Sequence, residues 1–328
     1  MPELPEVEVV RRGVDRWAQG RTVESVSVTD IRSLRRHDVS ASSEAARIES
    51  FVSALVGRRL AAPQRRGKFL WIPLETPPVA VAPDADAGAG AGETIRPAPT
   101  HALLIHLGMS GQVLINTPSE PSQKHLKITL DLQLPGTETN QMRFIDQRIF
   151  GGMQISELLD SAHPSGSVPA AAAHIAADPL EPAMNAEEFF RSLRRKKTSL
   201  KRALLDQTMI SGIGNIYADE ALWFAQLHYL RPTETMTRAE ATRLLIAVEQ
   251  VMLAALEAGG TSFDALYVNV NGASGYFDRS LQSYGRTGQP CRRCAETPRA
   301  ALIRRDPFMG RSSFWCPTCQ PRPRRLRA

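Results

Sequence analysis

Two Cys-x-x-Cys pairs near the end of the chain constrain its fold more than any other feature of the sequence. The pairs are Cys291 with Cys294 and Cys316 with Cys319, and twenty-one residues separate them. Two such pairs that share a tetrahedral ion are typical of one structural Zn²⁺ held by four thiolates. A closed shell of four cysteines leaves no position for water, so this zinc would stabilise structure and would not catalyse. A redox dithiol and free core thiols are the alternatives.

Positive charge is concentrated in two parts of the chain. The 328 residues carry 40 Lys+Arg and 34 Asp+Glu. Residues 286–328 hold eleven arginines and two acids, and residues 191–202 hold seven basic residues and no acid. Such patches indicate a polyanion partner, while a solvated surface with a disordered basic tail is the alternative. The segment between the cysteine pairs is predicted to form a β-hairpin that presents Arg311, a shape suited to a groove of duplex DNA.

The sequence carries no sign of a membrane or secretory protein. The first residues lack the apolar core of a signal peptide, and no uninterrupted apolar run reaches the roughly 18 residues of a membrane span. Without a secretory signal, paired cysteines favour metal over disulfides. We expect a cytoplasmic, nucleoid-associated monomer with no membrane partner.

Hydrophobic periodicity predicts helix first, then strands, then helices. Apolar residues at helical spacing predict a helix over residues 5–18 that ends at Gly20. Short apolar runs follow, and the runs at 102–107 and 112–116 flank Gly108-Met109-Ser110-Gly111, a hairpin signal. Leucines and isoleucine alternate from Leu126 to Leu134, which indicates a strand buried on one face. Helical patterns resume over 186–205, 216–227 and 237–258.

These patterns predict an α+β multidomain protein. An N-terminal helix and an antiparallel β-sandwich would occupy residues 1–160, with a flexible, Ala/Pro/Gly-rich insertion at 76–100. A linker (161–184), a helical domain (185–285), a four-cysteine zinc-finger β-hairpin (286–321) and a basic tail (322–328) would follow.

A glycine-rich turn precedes one of the predicted helices. Gly212 and Gly214 permit a tight turn, and Asn215 is predicted to be the N-cap residue. The amides at such a helix N-terminus are suited to bind phosphate. An ordinary capped helix is the alternative.

The first residues, Met1-Pro2-Glu3-Leu4-Pro5-Glu6, contain a candidate nucleophile. A small residue after the initiator usually leads to removal of Met1, which would leave the secondary amine of Pro2 free. An α-amino group titrates at about 7.7–8.0 and lysine at about 10.4, so the terminus holds on the order of 10²-fold more free base at neutral pH. A free amine beside carboxylates can attack a sugar carbon and form an imine. Alternatively, the prolines merely precede a helix.

Taken together, these residues resemble the bacterial formamidopyrimidine-DNA glycosylases, which remove 8-oxoguanine in base-excision repair. The resemblance spans nearly the whole chain except the 76–100 insertion and the tail. Seven motifs carry it in order: Pro2-Glu3-Leu4-Pro5-Glu6-Val7-Glu8, Arg66-Gly67-Lys68, His106-Leu107-Gly108-Met109-Ser110-Gly111, Asp146-x-Arg148-x-Phe150-Gly151, Gly212-x-Gly214-Asn215-Ile216-Tyr217, Gly275-Tyr276-Phe277 and the four cysteines. The resemblance implies a catalytic N-terminal domain and a helix-two-turn-helix DNA-binding domain over 185–285.

The resemblance also implies roles for residues near the reacting sugar. Pro2 would attack C1′ of the damaged nucleotide, Glu3 would be the acid that assists ring opening, and Glu6 would fix the N-terminal turn. Lys68 resembles the family lysine that contacts phosphates around the lesion. Lys197 resembles a second family lysine near the lesion, or is one solvated charge among seven.

Further residues would contact the DNA. Met109, Arg148 and Phe150 resemble the trio that fills the gap left by the everted base, with Arg148 paired to the orphaned cytosine and Phe150 wedged into the stack. Otherwise Met109 and Phe150 would be core residues, and Arg148 would form a surface ion pair. Asn215 and Arg311 resemble two phosphate clamps that flank the lesion.

A loop over residues 269–276 would cap the everted base. Its candidate lesion contacts are Asn271, Gly272, Gly275 and Tyr276. Family members often carry a lysine where Ala273 stands, so the chain departs from the family there.

The hypothesis that follows is a bifunctional DNA glycosylase and AP lyase that removes oxidised purines from damaged double-stranded DNA. It would form a Schiff base through Pro2 and cut the strand by β- and δ-elimination. Two alternatives remain open. One is an oxidised-pyrimidine glycosylase of the endonuclease VIII branch, which usually places glycine where Leu4 stands. The other is a catalytically silent zinc protein that binds DNA.

Overall fold

The computed structural model describes residues 2–77, 79–80, 94–95, 97–136, 138–260 and 280–324. The predicted lesion contacts Asn271, Gly272, Gly275 and Tyr276 lie outside the described residues, as do Ala273, most of the 76–100 insertion and the end of the basic tail. The described α-helices are α1 (Leu4–Ala18), α2 (Glu44–Leu55), α3 (Ala186–Lys196), α4 (Leu200–Leu204), α5 (Asn215–Phe224) and α6 (Arg238–Glu257). None of them is long and apolar enough to cross a membrane.

The described strands form one large antiparallel sheet and two separate pairs. They are β1 (Thr22–Val28), β2 (Arg59–Leu60), β3 (Gln64–Arg66), β4 (Phe69–Glu75), β5 (Val79–Ala80), β6 (Thr94–Ile95), β7 (His101–His106), β8 (Gly111–Asn116), β9 (Leu126–Gln133), β10 (Asn140–Asp146), β11 (Gly152–Asp160), β12 (Ser167–Pro169), β13 (Arg304–Phe308) and β14 (Arg311–Trp315). The large sheet runs β12-β11-β7-β4-β2-β1-β9-β10-β8, and β3 pairs with β4. The separate pairs are β5–β6 and β13–β14.

Helix α1 begins where its sequence predicts. Pro5 stands in the first turn, where a missing N–H costs nothing, and Glu3 and Glu6 form a capping box. Val7, Val10 and Val14 are buried on one face. The helix gives way to Gly20, whose φ of +80° lies in the left-handed region.

The large sheet folds into two layers around one core. Leu70 and Leu103 from one half share a hydrophobic cluster with Val113 and Ile128 from the other half. The valines of α1 complete this cluster. Strand β9 buries Ile128, Leu130 and Leu132, as its alternation predicts. The predicted β-sandwich with an N-terminal helix is confirmed.

The predicted hairpin between residues 102–107 and 112–116 is wrong. Strand β7 pairs with β4 and β11, whereas β8 pairs with β10. The glycines do reverse the chain, since Gly108 has a φ of +62°. The reversal carries the chain from one part of the sheet to another, and apolar residues of both strands lie in the shared core.

Residues 161–184, predicted as a linker, are structured. Strand β12 pairs with β11, and Val168 and Ile175 are buried. Farther on, Asp178 pairs with Arg65 at 2.7 Å. Glu181 pairs with Arg66 at 3.0 Å. The sequence of this segment does not predict its structure, because ion pairs with residues far away in the chain leave no periodic pattern.

The C-terminal half has its own core. Helices α3 to α6 supply most of it, and Phe308 and Trp315 of the β13–β14 hairpin join it. Leu4 of α1 lies in the same cluster. The N-terminus of the chain therefore reaches from the sandwich into the helical half.

Candidate functional site

The Glu3 carboxylate binds the N-terminus of α5. It accepts hydrogen bonds from the amides of Gly214 at 2.6 Å, Ile216 at 3.0 Å and Tyr217 at 3.3 Å. The predicted N-cap Asn215 is therefore wrong: the N-cap is Gly214, and Asn215 is the first helical residue. The amides that the sequence suggested for phosphate are occupied by a carboxylate from the other end of the chain.

Glycine is required at this junction. A Cβ on Gly214 would lie 2.4 Å from the Glu3 carboxyl carbon. Leu4 donates its amide to the Gly212 carbonyl at 3.0 Å, which fixes the turn on the other side. The two glycines therefore admit the N-terminal segment into the helix turn.

A second carboxylate supports the first. Glu6 accepts the Glu3 amide at 2.9 Å and the Tyr217 hydroxyl at 2.6 Å, and Pro2 beside them is buried. Burial raises the pKa of Glu3 against the opposing charge of Lys68, and the nearby Glu6 raises it further. A carboxyl with a raised pKa beside an amine is suited to proton transfer.

Lys68 lies at the edge of this cluster. Its Nζ donates to the Ile213 carbonyl at 2.8 Å. Burial lowers the pKa of Lys68, and the charge of Arg311 adds to the effect while Glu3 opposes it. The preceding Gly67 has a φ of +54° and its amide donates to Asp178 at 3.0 Å, so the turn that carries Lys68 is fixed.

Lys68 and Arg311 line one cavity of about 510 Å³, which we call the basic cavity. Ile213, His106 and Met309 also line it. Its volume lies within the range of ligand sites in proteins. The hairpin thus brings Arg311 to the same opening as a residue that stands more than two hundred positions earlier in the chain.

His106 is a site residue that the sequence reasoning used only as part of a motif. Burial lowers its pKa to about 4, and the charges of Arg36 and Lys68 act in the same direction. Its Nδ1 accepts the Gly108 amide at 3.1 Å, so the neutral ring carries its proton on Nε2. His106 is therefore a neutral donor at the basic cavity.

The predicted intercalating trio lies at the surface on two adjacent loops. Met109 is 37% exposed, Phe150 is 51% exposed, and Arg148 is exposed. A Cβ on Gly108 would lie 2.5 Å from the Phe150 carbonyl carbon, so the loops touch. Met109 and Phe150 are not core residues, and all three side chains are available for an external partner.

Lys197 lies apart from the Glu3 cluster. It is exposed at the end of α3 with a φ of +46°. It lines a second concavity with Arg202 and Met309; Met309 also lines the basic cavity, but Lys68 is not among the residues around Lys197. Lys197 therefore stays a candidate for contact with DNA near the lesion, and not with the Glu3 cluster itself.

Lys201 is a buried residue that the sequence reasoning missed. Its side chain is fully buried, and Nζ contacts Asp219 at 2.7 Å and the Ser312 carbonyl at 3.0 Å. Asp219 also accepts the Phe314 amide at 3.0 Å. The pair ties α4 and α5 to the strand that begins with Arg311. The sequence signal for such a buried pair is Asp219, an acidic residue within a mostly apolar helix.

The four cysteines form a cluster that can hold a metal ion. Their sulfur atoms all lie within 4.8 Å of one another. Cys291 and Cys319 are 3.8 Å apart, and Cys294 and Cys316 are 3.7 Å apart. Tetrahedral bonds of about 2.3 Å to zinc would place sulfurs roughly 3.8 Å apart, so the spacing fits. Trp223 of α5 donates its indole N–H to Cys291 at 3.3 Å.

Comparisons with known proteins give a consistent result along the chain. Residues 1–153 match the family described as Formamidopyrimidine-DNA glycosylase N-terminal domain, and residues 175–266 match Formamidopyrimidine-DNA glycosylase H2TH domain. The chain is 53% identical over 327 residues to a formamidopyrimidine-DNA glycosylase from Parafrankia sp. (strain EAN1pec), covering 100% of both chains. It is 52% identical to a Streptomyces coelicolor formamidopyrimidine-DNA glycosylase over 325 residues, 99% of each chain.

Solved structures agree. An Fpg mutant from Lactococcus lactis, in complex with a Fapy-dG containing DNA, has a TM-score of 0.75 and 26% identity, covering 98% of this chain and 100% of that chain. The Lactococcus lactis Fpg in complex with an abasic site containing DNA has a TM-score of 0.74 and 25% identity, with the same coverage.

Proposed function

Because this chain belongs to the formamidopyrimidine-DNA glycosylase family, we propose that it excises oxidised purines from duplex DNA and cuts the resulting abasic strand. Pro2 and Glu3 are the residues that carry out this chemistry. The chain is a base-excision repair DNA glycosylase. The observation that carries the residue assignment is the buried Glu3 carboxyl. It stands beside Pro2 and is affected by the charge of Lys68, which lines the basic cavity together with Arg311.

The proposed reaction begins at the Pro2 amine once Met1 has been removed. The amine attacks C1′ and the bond from C1′ to the base breaks; the base leaves with that electron pair and takes up a proton, while the Pro2 nitrogen loses its own proton to the Glu3 carboxylate. Glu3 then gives a proton to the ring oxygen, the bond from C1′ to that oxygen breaks, and an iminium ion forms between Pro2 and C1′. Loss of a C2′ proton expels the 3′ phosphate, loss of a C4′ proton expels the 5′ phosphate, and water hydrolyses the remaining C=N bond to release Pro2.

The remaining site residues are proposed to hold the DNA. Lys68, Asn215 and Arg311 contact phosphates around the lesion, which fixes register without reading sequence. Phe150 and Met109 fill the gap that the everted base leaves, and Arg148 donates to the orphaned cytosine. The loop with Asn271, Gly272, Gly275 and Tyr276 caps the base. We propose that the working enzyme is associated with the nucleoid, where its substrate lies.

We propose that one zinc ion occupies the four-cysteine cluster. When bound, the ion would fix both ends of the segment that contains the β13–β14 hairpin and so hold Arg311 in place. Zinc content should be one ion per chain, and chelation should lower the melting temperature and change Trp223 fluorescence, since its indole contacts Cys291. A Cys316→Ser variant that kept full metal content would contradict the assignment.

Borohydride trapping tests the proposed chemistry. The substrate is a duplex with one 8-oxoguanine opposite cytosine, and the trapped complex is mapped by peptide mass. An adduct on Pro2 is expected. An adduct on a lysine, or none from protein whose mass shows loss of Met1, would refute Pro2 as the nucleophile for this lesion. A thymine-glycol duplex run in parallel tests the oxidised-pyrimidine alternative.

A further inference from the structure

The loop that carries Arg148 and Phe150, residues 146–151, is held rigidly although its functional side chains are exposed. We call it the wedge loop. Asp146, at 1% exposure, accepts the Arg148 amide at 3.1 Å and the Gly151 amide at 2.7 Å. The Ser110 hydroxyl donates to the same carboxylate at 2.5 Å and accepts the Arg148 amide at 3.0 Å. One carboxylate therefore ties the wedge loop to the loop that presents Met109.

Arg35 holds the outer part of the wedge loop. Its Nη1 donates to the Ile149 carbonyl, and its Nη2 donates to the Phe150 carbonyl. A planar guanidinium can bind two neighbouring acceptors at once, which a lysine ammonium cannot do with the same geometry. Arg35 thus fixes two successive peptide groups at the point where the wedge side chain leaves the backbone.

The backbone at this point needs such a restraint. Ile149 has a φ of +57°, in the left-handed region. A β-branched residue there is an outlier, and such conformations persist only where the surroundings over-determine them. Phe150 is 51% exposed, so packing of its ring does not supply the restraint.

Close contacts place Arg35 against the loop. A Cβ on Gly152 would lie 2.3 Å from the Ser33 carbonyl oxygen. The short 3-10 helix Ile31–Leu34, which contains Ser33 and ends at its C-cap Arg35, therefore packs directly on the chain after Phe150. Its own arginine, Arg32, pairs with Asp30 at the surface.

We propose that Arg35 is a positioning residue that keeps Phe150 and Arg148 in the conformation required to enter the DNA stack. The inference rests on the proposed function, because a wedge acts only on DNA. A loop that is ordered in advance does not lose conformational entropy on insertion, so base eversion proceeds faster. Arg35 itself does not touch the reacting atoms.

The test compares two substrates with Arg35→Ala and Arg35→Lys proteins. The first substrate is the 8-oxoguanine duplex, in which the base must be everted. The second is a single-stranded abasic oligonucleotide, which has no base to evert and reports the chemistry through borohydride trapping. Arg32→Ala is the matched control, since its side chain is 67% exposed.

Arg35→Ala should slow single-turnover excision from the duplex by about 10- to 30-fold, the loss expected for two hydrogen bonds. Trapping on the abasic strand should change by less than about twofold, because this substrate has no base to evert and Arg35 does not touch the reacting atoms. Arg35→Lys should fall between Arg35→Ala and the unaltered protein, and Arg32→Ala should match the unaltered protein on both substrates.

The proposal is overturned if Arg35→Ala leaves the ratio of the two activities unchanged. This holds whether both activities stay at the level of the unaltered protein or both fall by the same factor with a lowered melting temperature. If the unaltered protein processed neither substrate, the proposed function would fail instead, so the two failures are distinct.

Discussion

Glu3 combines a structural and a chemical role in one side chain. Its oxygens accept three amides of α5, which satisfies donors that a helix N-terminus leaves unpaired. The same burial raises the pKa of Glu3. A residue with both roles cannot be replaced without affecting both, because the amide of glutamine offers only one accepting oxygen.

Glu3→Gln should therefore reduce excision from an 8-oxoguanine duplex by about 10²- to 10⁴-fold, the range for loss of a general acid. Stability should fall by only about 1 kcal/mol, as for other helix caps. Single-turnover kinetics and urea denaturation measure the two effects. Glu24→Gln makes the same change at an exposed residue and should alter neither. Full excision by Glu3→Gln would remove Glu3 from the chemistry.

At the scale of elements, the β13–β14 hairpin depends on a buried ion pair. Lys201 reaches Asp219 and the Ser312 carbonyl, while Asp219 accepts the Phe314 amide. Burying two charges is costly, but removing one partner leaves the other uncompensated. These polar contacts between the Arg311 hairpin and the helices all involve Lys201 or Asp219. Loss of either residue therefore weakens the whole attachment.

Lys201→Met should destabilise the protein by about 3–5 kcal/mol, because Asp219 is left buried and unpaired. Adding Asp219→Asn should recover part of the loss, since asparagine still accepts the Phe314 amide without a charge. Urea denaturation of the single and double variants gives the coupling directly. Equal stabilities of Lys201→Met and the double variant would show that the ion pair is not what anchors the hairpin.

At the scale of the whole molecule, folding depends on a histidine that stays neutral. His228 is 2% exposed, packs against Tyr229 and Trp315, and accepts the Leu230 amide at 3.1 Å. Burial lowers its pKa to about 4, the charge of Arg322 lowers it further, and Asp306 opposes this. A free histidine titrates at about 6.5, so the unfolded chain binds the proton first as pH falls.

The free energy of unfolding should therefore be highest above about pH 6.5 and decline as pH falls toward 4. Protonation of His228 in the unfolded chain should lower it by about 2 kcal/mol at pH 5. His228→Asn keeps an acceptor for the Leu230 amide but does not titrate. It should be less stable at pH 7.5, since it loses the ring contacts, and its stability should vary less between pH 6.5 and 4.5. Parallel slopes for the two proteins would exclude His228 as the group responsible.

Features that depend on local spacing could be predicted from the sequence alone. Periodicity identified α1, β9 and α6 close to their observed bounds, because burial on one face imposes a period of 3.6 or 2. The cysteine spacing predicted a cluster whose sulfurs now lie within reach of one ion. The ordered motifs identified the family, and the comparisons confirm it.

Which segments of the chain contact one another could not be predicted from local spacing and follows from the three-dimensional packing. The glycines between β7 and β8 mark a reversal and so predict a hairpin. The two strands nevertheless pair with different partners, β7 with β4 and β11 and β8 with β10, because the sheet folds into two layers. Asn215 was a reasonable N-cap by composition, yet the cap of α5 is supplied by Glu3, over two hundred residues away. The roles of Arg35 and Lys201 follow from contacts with distant backbone carbonyls. Such contacts leave no periodic trace in a sequence, because a carbonyl is present at every residue and only folding selects which one is bound.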